Sequence, residues 1–128
     1  MRLLLDTHAL LWWFTDDERL TDAARQAIAD EANEVFVSAA SAWEIATKQR
    51  LGKLDGVPQA AERFAELVAA NGFLQLPVSQ SHGLRAGGYR LAHRDPFDRM
   101  LAAQSELESL ILVTRDPVFE EFGSRTLW

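Results

Sequence analysis

Asp6, Glu44, Asp98 and Asp116 are the residues of this chain whose type and placement suggest chemistry. Each follows an apolar strand-like run or opens an apolar helical run. If those runs form one parallel sheet, the four carboxylates gather at its C-terminal edge, where open α/β sheets bind ligands. Crowded carboxylates resist ionising together unless a divalent cation sits between them. The pattern therefore points to a metal site, and a metal site of this composition to phosphodiester chemistry.

Each acid also has a local structural reading. Asp6 can cap a helix by accepting a backbone N–H bond, as can Thr7. Glu44 lies three residues after Ser41, the spacing of a capping box. If Ser38 caps that helix instead, Glu44 falls in its second turn and is free to face the sheet edge. Glu44 and Lys48 also stand i,i+4, an ion pair of a few tenths of a kcal/mol. Asp95 before Pro96 is a ready cap, which leaves Asp98 spare in the first turn. Asp116 before Pro117 repeats that pattern, with Thr114 as a polar supporter. Capping alone does not require four acids to share one edge.

The elements that must position these acids follow from the apolar pattern. Leu3 to Leu5, Val35 to Val37, Phe73 to Leu76 and Leu110 to Val113 read as short buried strands, and Thr126 to Trp128 as a short last one. Helices are expected over His8 to Phe14, after Thr21, over Ala39 to Leu51, from Pro58 to Asn71, over 79–87 and from Pro96 to about Leu107. A helical turn is expected from Pro117 to Phe122, and Gly87-Gly88 marks a turn. Strands alternating with helices imply α/β class, a parallel sheet covered on both faces. Asp6 and Asp116 then end the first and fourth strands, which are commonly neighbours across the switch point of a doubly wound sheet.

The 128 residues suit a single domain spanning 1–128. A composition of 48% hydrophobic and 25% charged residues is that of a folded soluble protein. Without cysteine there is neither a disulfide nor a thiolate zinc site, which fits a reducing, cytoplasmic setting. No apolar run approaches a membrane span, and the acid in Met-Arg-Leu-Leu-Leu-Asp does not suit a signal peptide. A net charge of −6 argues against gripping duplex DNA through a broad basic face. Most of that charge lies in residues 1–34, which hold eight acids and three bases. Arg85, Arg90, Arg94 and Arg99 cluster around the Asp98 motif and could guide phosphate groups, or simply be solvated. His8 and His93 flank acids, whereas His82 reads as surface. Trp12, Trp13 and Trp43 read as core or interface residues.

Taken together, the motifs resemble the PIN domain, specifically VapC-type ribonuclease toxins of prokaryotic toxin–antitoxin pairs. The residues that carry the resemblance are Leu4-Leu-Asp6-Thr-His8, Ser38-Ala-Ala-Ser-Ala-Trp-Glu44-Ile-Ala, Leu51-Gly-Lys-Leu54, His93-Arg-Asp-Pro-Phe-Asp98-Arg and Leu112-Val-Thr-Arg-Asp116. They span nearly the whole chain in the family's order. Ala92 departs from relatives that often carry a second histidine there. The resemblance implies an α/β/α sandwich around a mainly parallel sheet of about five strands. It implies an acidic quartet of Asp6, Glu44, Asp98 and Asp116 with Mg²⁺ or Mn²⁺ bound. Asp6, Asp98 and Asp116 are the expected metal ligands; Asp95, Thr114, Thr7 and Arg99 are supporting positions. It further implies cleavage of tRNA or ribosomal RNA, a VapB-like antitoxin partner and a homodimer.

Oxygen ligands suit Mg²⁺ or Mn²⁺ better than zinc. Such an ion would activate water for attack on a phosphate, giving 5′-phosphate and 3′-hydroxyl ends. Glu44 could hold a second ion or orient that water. Rival readings fit less well. An aspartyl phosphatase of the haloacid dehalogenase kind needs an acid where His8 stands. A receiver domain needs a late lysine, and the lysines are Lys48 and Lys53. No Gly-rich turn follows a strand, as nucleotide binding would require. A housekeeping PIN-type RNA-processing nuclease and a non-catalytic PIN-like RNA- or protein-binding module remain as alternatives.

Overall fold

The structure is a computed structural model that describes residues 1–54, 56–57 and 59–128. The elements run β1 (Arg2–Leu5), α1 (Thr7–Phe14), α2 (Asp22–Ala29), β2 (Glu34–Ser38), α3 (Ala39–Arg50) and α4 (Phe64–Ala70). There follow β3 (Leu74–Leu76), α5 (Gln80–Gly88), α6 (Pro96–Leu107), β4 (Ile111–Val113), α7 (Val118–Glu121) and β5 (Thr126–Leu127). The strands form one five-stranded sheet in the order β3-β2-β1-β4-β5, and every pairing is parallel. The chain winds outward from β1 to β3, then returns to β4 on the other side of β1. The switch point therefore lies between β1 and β4, as the sequence suggested.

Position at the centre explains the three leucines of β1. Leu3, Leu4 and Leu5 are fully buried because both faces of the strand are covered. Leu3 and Leu5 point into one core with Leu10 of α1, Ala24 and Ile28 of α2, Ile45 of α3 and Val68 of α4. Leu4 points the other way, into a second core with Leu101 and Ala102 of α6, Leu112 of β4 and Phe119 of α7. The alternation is the period of two of a strand, and the two cores make the α/β/α sandwich. Phe119 is nearly fully buried and packs beside Phe122. Phe119→Ala should cost about 3–5 kcal/mol, read as a lowered midpoint in urea. An unchanged midpoint would mean that the second core contributes little.

Most helix ends follow their caps. Thr21 caps α2 through Ala24 N–H, and Ser38 caps α3 through Ala40 N–H. Gly52 ends α3 with a φ of +69°, a conformation in which a side chain is strained. Three expectations shift. The helix expected from Pro58 begins at Phe64; Pro58 lies outside the described residues, and Gln59 has a φ of +63°, which no right-handed helix accommodates. Gly87 and Gly88 end α5 rather than forming the turn after it. His82, read as surface, is buried: its ring accepts from Ser79 N–H while Ser79 Oγ accepts from His82 N–H, a reciprocal cap of α5. Trp43, in contrast, is 60% exposed, with its ring against the edge of Phe97. Among the described residues no helix is long and apolar enough to cross a membrane.

Candidate active site

Asp6 lies one residue beyond β1, where its backbone N–H continues the ladder to Val113 O at 3.1 Å. Its Oδ1 accepts from Ala9 N–H at 2.7 Å, so Asp6 does cap α1. It is nonetheless only 6% exposed. Burial pushes its carboxyl above the ordinary range, against the pull of hydrogen bonds from Thr114 and Ala9 N–H; the negative charge of Glu44 adds to the rise. Thr114, buried after β4, also accepts from Asp116 N–H at 3.1 Å. This one hydroxyl thus ties the Asp6 carboxylate to the backbone of Asp116. Thr7 donates to Ser41 Oγ at 3.0 Å, pinning α1 to the start of α3.

With Ser38 as the cap, Glu44 sits in the second turn of α3, so the Ser41 capping box does not form. Glu44 is buried and pairs with Lys48 one turn on. Its charge reaches both Asp6 and Asp98. Asp95 caps α6, accepting from Phe97 N–H at 2.8 Å and Asp98 N–H at 3.0 Å. Asp98 is left free of capping and takes His93 Nε2 at 2.8 Å. Burial raises the Asp98 carboxyl to about 6; Asp95 and Glu44 push the same way, and His93 opposes them. Asp116 is exposed and accepts from Val118 N–H at 3.0 Å. Pro117 is the capping residue of α7, so the expected cap is displaced by one position.

Asp6 and Asp116 open together onto a cleft of about 700 Å³, which also takes in Thr7, Trp12 and Lys48. Glu44 and Asp98 lie outside that lining. The four acids therefore form a chain, from Asp116 and Asp6 at the cleft through Glu44 to Asp98. Each is held by its own partner: Val118 N–H, Ala9 N–H, Lys48 and His93. In this arrangement no three His, Asp or Glu side chains among the described residues stand close enough to hold a metal ion. The donor set still fits a hard cation. It is all oxygen, and two of its carboxylates, buried Asp6 and half-buried Asp98, have raised proton affinity, a penalty that a bound cation would relieve.

The arginine cluster divides. Arg99 donates to the carbonyls of Ala86 and His93 at 2.8 Å and Leu91 at 3.1 Å, and to that of Tyr89. It tethers the segment leading to α6 and does not offer its donors to solvent. Arg85 pairs with Glu106 and lies over Tyr89. Arg90 and Arg94 are exposed. The cleft instead gathers Arg19, Lys48, Lys53 and Arg115, of which the sequence pattern singled out only Lys48. Arg115 stood within a quoted motif, but nothing in its spacing signals a contact with Trp12.

A raised carboxyl couples stability to pH. An Asp98 that holds its proton up to about 6 when folded, but only to about 4 when unfolded, favours folding most at low pH. That contribution is lost as pH rises through 6. Without divalent cations, Asp98→Asn should melt higher than the parent at pH 7 and match it more closely at pH 4.5. Equal melting shifts at both pH values would contradict the assignment.

A PIN domain family model matches residues 3–124. Ribonuclease VapC22 of Mycobacterium tuberculosis is 31% identical over 117 residues, covering 89% of this chain and 86% of its own. The structure of VapBC2 from Rickettsia felis bound to a DNA fragment from their promoter superposes with a TM-score of 0.69 at 15% identity, covering 99% and 98% of the two chains. A toxin–antitoxin complex from Klebsiella pneumoniae gives 0.58 at 22% identity, over 89% and 86%. On the family match and the sequence relative together, this chain belongs to the PIN domain family.

Proposed function

We propose that the chain is a Mg²⁺- or Mn²⁺-dependent endoribonuclease of the VapC kind, a toxin that cuts structured RNA such as tRNA or ribosomal RNA. The observation that carries this reading is the chain of carboxylates at the β1–β4 switch point, of which buried Asp6 and half-buried Asp98 have raised proton affinity. Kinship with a VapC ribonuclease supports the choice of RNA. Asp6, Asp98 and Asp116 would hold the ion, with Asp95, Thr114 and Thr7 supporting them. A divalent ion there supplies charge neutralisation at phosphate oxygens and a more acidic bound water.

The chain's own residues set the conditions for that chemistry. Thr114 and Ala9 N–H fix the Asp6 oxygens. His93 Nε2, 2.8 Å from an Asp98 carboxylate oxygen, orients Asp98. Glu44, balanced by Lys48, would orient the attacking water. Such a toxin would act in the cytoplasm, as a homodimer, and be held inactive by a VapB-like antitoxin. Likeness to toxin–antitoxin complexes supports the partner.

Purified protein with total RNA tests the reading. Cleavage should require Mn²⁺ or Mg²⁺, stop in EDTA, leave 5′-phosphate ends and disappear in Asp98→Asn. RNA binding that is indifferent to EDTA, with no cleavage, would make the chain a binding module. Products ending in 2′,3′-cyclic phosphate would overturn the water mechanism.

A further inference from the structure

We propose that Arg115 is a phosphate-positioning residue, one that grips an RNA phosphodiester next to the scissile one at the mouth of the cleft. The proposal rests on the ribonuclease reading above for its ligand. It arises from an electrostatic difficulty. The cleft carries Asp6 and Asp116, and the chain as a whole has a net charge of −6. A polyanion approaching such a site is repelled unless fixed cations stand beside the carboxylates.

Arg115 directly precedes Asp116 and lines the same cleft. Its guanidinium lies over the Trp12 ring, 4.6 Å from the centroid. Trp12 is buried, so the ring is a fixed platform and not a surface for stacking bases. A guanidinium laid on an aromatic face keeps its N–H fork in its own plane, available for bidentate contact with phosphate. Among the described residues Arg115 makes no ion pair within 4.0 Å. Its charge acts at longer range on Asp17.

Arg19 shows the contrast. It too lies over Trp12, at 4.8 Å, but its fork is closed on Asp17 by bonds of 3.0 and 2.8 Å. That pairing draws the Asp17 carboxyl down to about 2. Arg19 therefore brings its own counter-ion, and Arg115 does not. Lys53 lines the same cleft and extends the basic edge. The basic edge of the cleft is thus asymmetric, and its uncompensated arginine lies one residue from an acid of the site.

The test is the binding of a fluorescein-labelled 20-nucleotide single-stranded RNA in EDTA, followed by anisotropy from 50 to 200 mM KCl. Arg115→Ala and Arg115→Gln should each weaken binding roughly 5–10-fold at the lowest salt and reduce the salt slope by about 0.7, the value for one phosphate contact on a single strand. Arg115→Lys should recover part of the affinity. Arg2→Ala, at the opposite edge of the sheet, should bind like the parent. Melting curves show that each variant is folded. Affinity and slope unchanged in both Arg115→Ala and Arg115→Gln overturn the proposal and leave Arg115 to a protein partner or to packing on Trp12. A parent that binds no RNA overturns it as well. Because the readout is binding, the two readings fail separately. RNA held through Arg115 but never cut sinks the ribonuclease reading and leaves Arg115 a phosphate contact with no scissile neighbour; RNA cut normally with unaltered Arg115 variants sinks only this proposal.

Discussion

Asp6→Asn should reduce metal-dependent RNA cleavage by about 1,000-fold or more while leaving the chain as stable as the parent or more so. The two halves of this expectation come from different roles of one side chain. As a cap, Asp6 needs only an oxygen for Ala9 N–H, and Asn supplies one equally well. As a buried charge, Asp6 is a burden on the empty fold, because burial and Glu44 both disfavour its ionised form. The amide removes that burden. As the proposed metal ligand it would be a poor replacement, since a neutral amide lacks the charge that would hold a hard cation. Removing an interaction worth several kcal/mol at the reacting phosphate is a rate loss of this size. Single-turnover cleavage with Mn²⁺ gives the first half, and thermal melting the second. Mn²⁺ should also raise the melting temperature of the parent and not of the variant. A folded variant that cuts RNA at the parent's rate would remove Asp6 from the site.

The fold was legible because its signals are local. A run of three leucines ended by an acid is readable as a fully buried strand, and alternation with helical runs made that strand parallel and central. The Asp95 cap could be read from the proline that follows it, whereas Ser38 and Ser41 both stayed open as the cap of α3. Reading Asp95 as the cap correctly left Asp98 free of that duty. What was not legible depends on partners distant in sequence or on unusual backbone. Gln59 takes a left-handed φ that no pattern announces. His82 fills a capping position usually given to Glu or Gln, and it is buried against Gln104, 22 residues away. Trp12 and Arg115 meet only because β4 returns beside β1. The sequence pattern placed all four acids at one edge; the β1–β4 pairing sets Asp6 and Asp116 side by side there, but the pattern could not show that each acid leans on its own local partner. That arrangement makes the site one whose carboxylates would have to exchange partners to share an ion.

Arg99→Ala should destabilise the chain by about 3 kcal/mol, the scale of a charged donor lost together with several acceptors, and lower activity through that loss. Read from sequence, Arg99 was a candidate for guiding RNA phosphates. Its guanidinium instead joins the carbonyls of Ala86, Tyr89, Leu91 and His93. These close the segment between α5 and α6, which carries His93 to Asp98 and delivers Asp95 to the start of α6. Alanine leaves the carbonyls to water and frees the segment, so His93 no longer orients Asp98. Arg99→Lys should rescue little, because an ammonium cannot span acceptors arranged for a planar fork. Urea unfolding and hydrogen exchange over residues 87–95 check this: a lowered midpoint and faster exchange are expected, with an unchanged salt dependence of RNA binding. A phosphate-binding Arg99 would give the reverse, full stability with weaker binding and a shallower salt slope. The same two measurements on Arg115→Ala should come out the opposite way, so together they separate the arginine that builds the site from the one that serves its substrate.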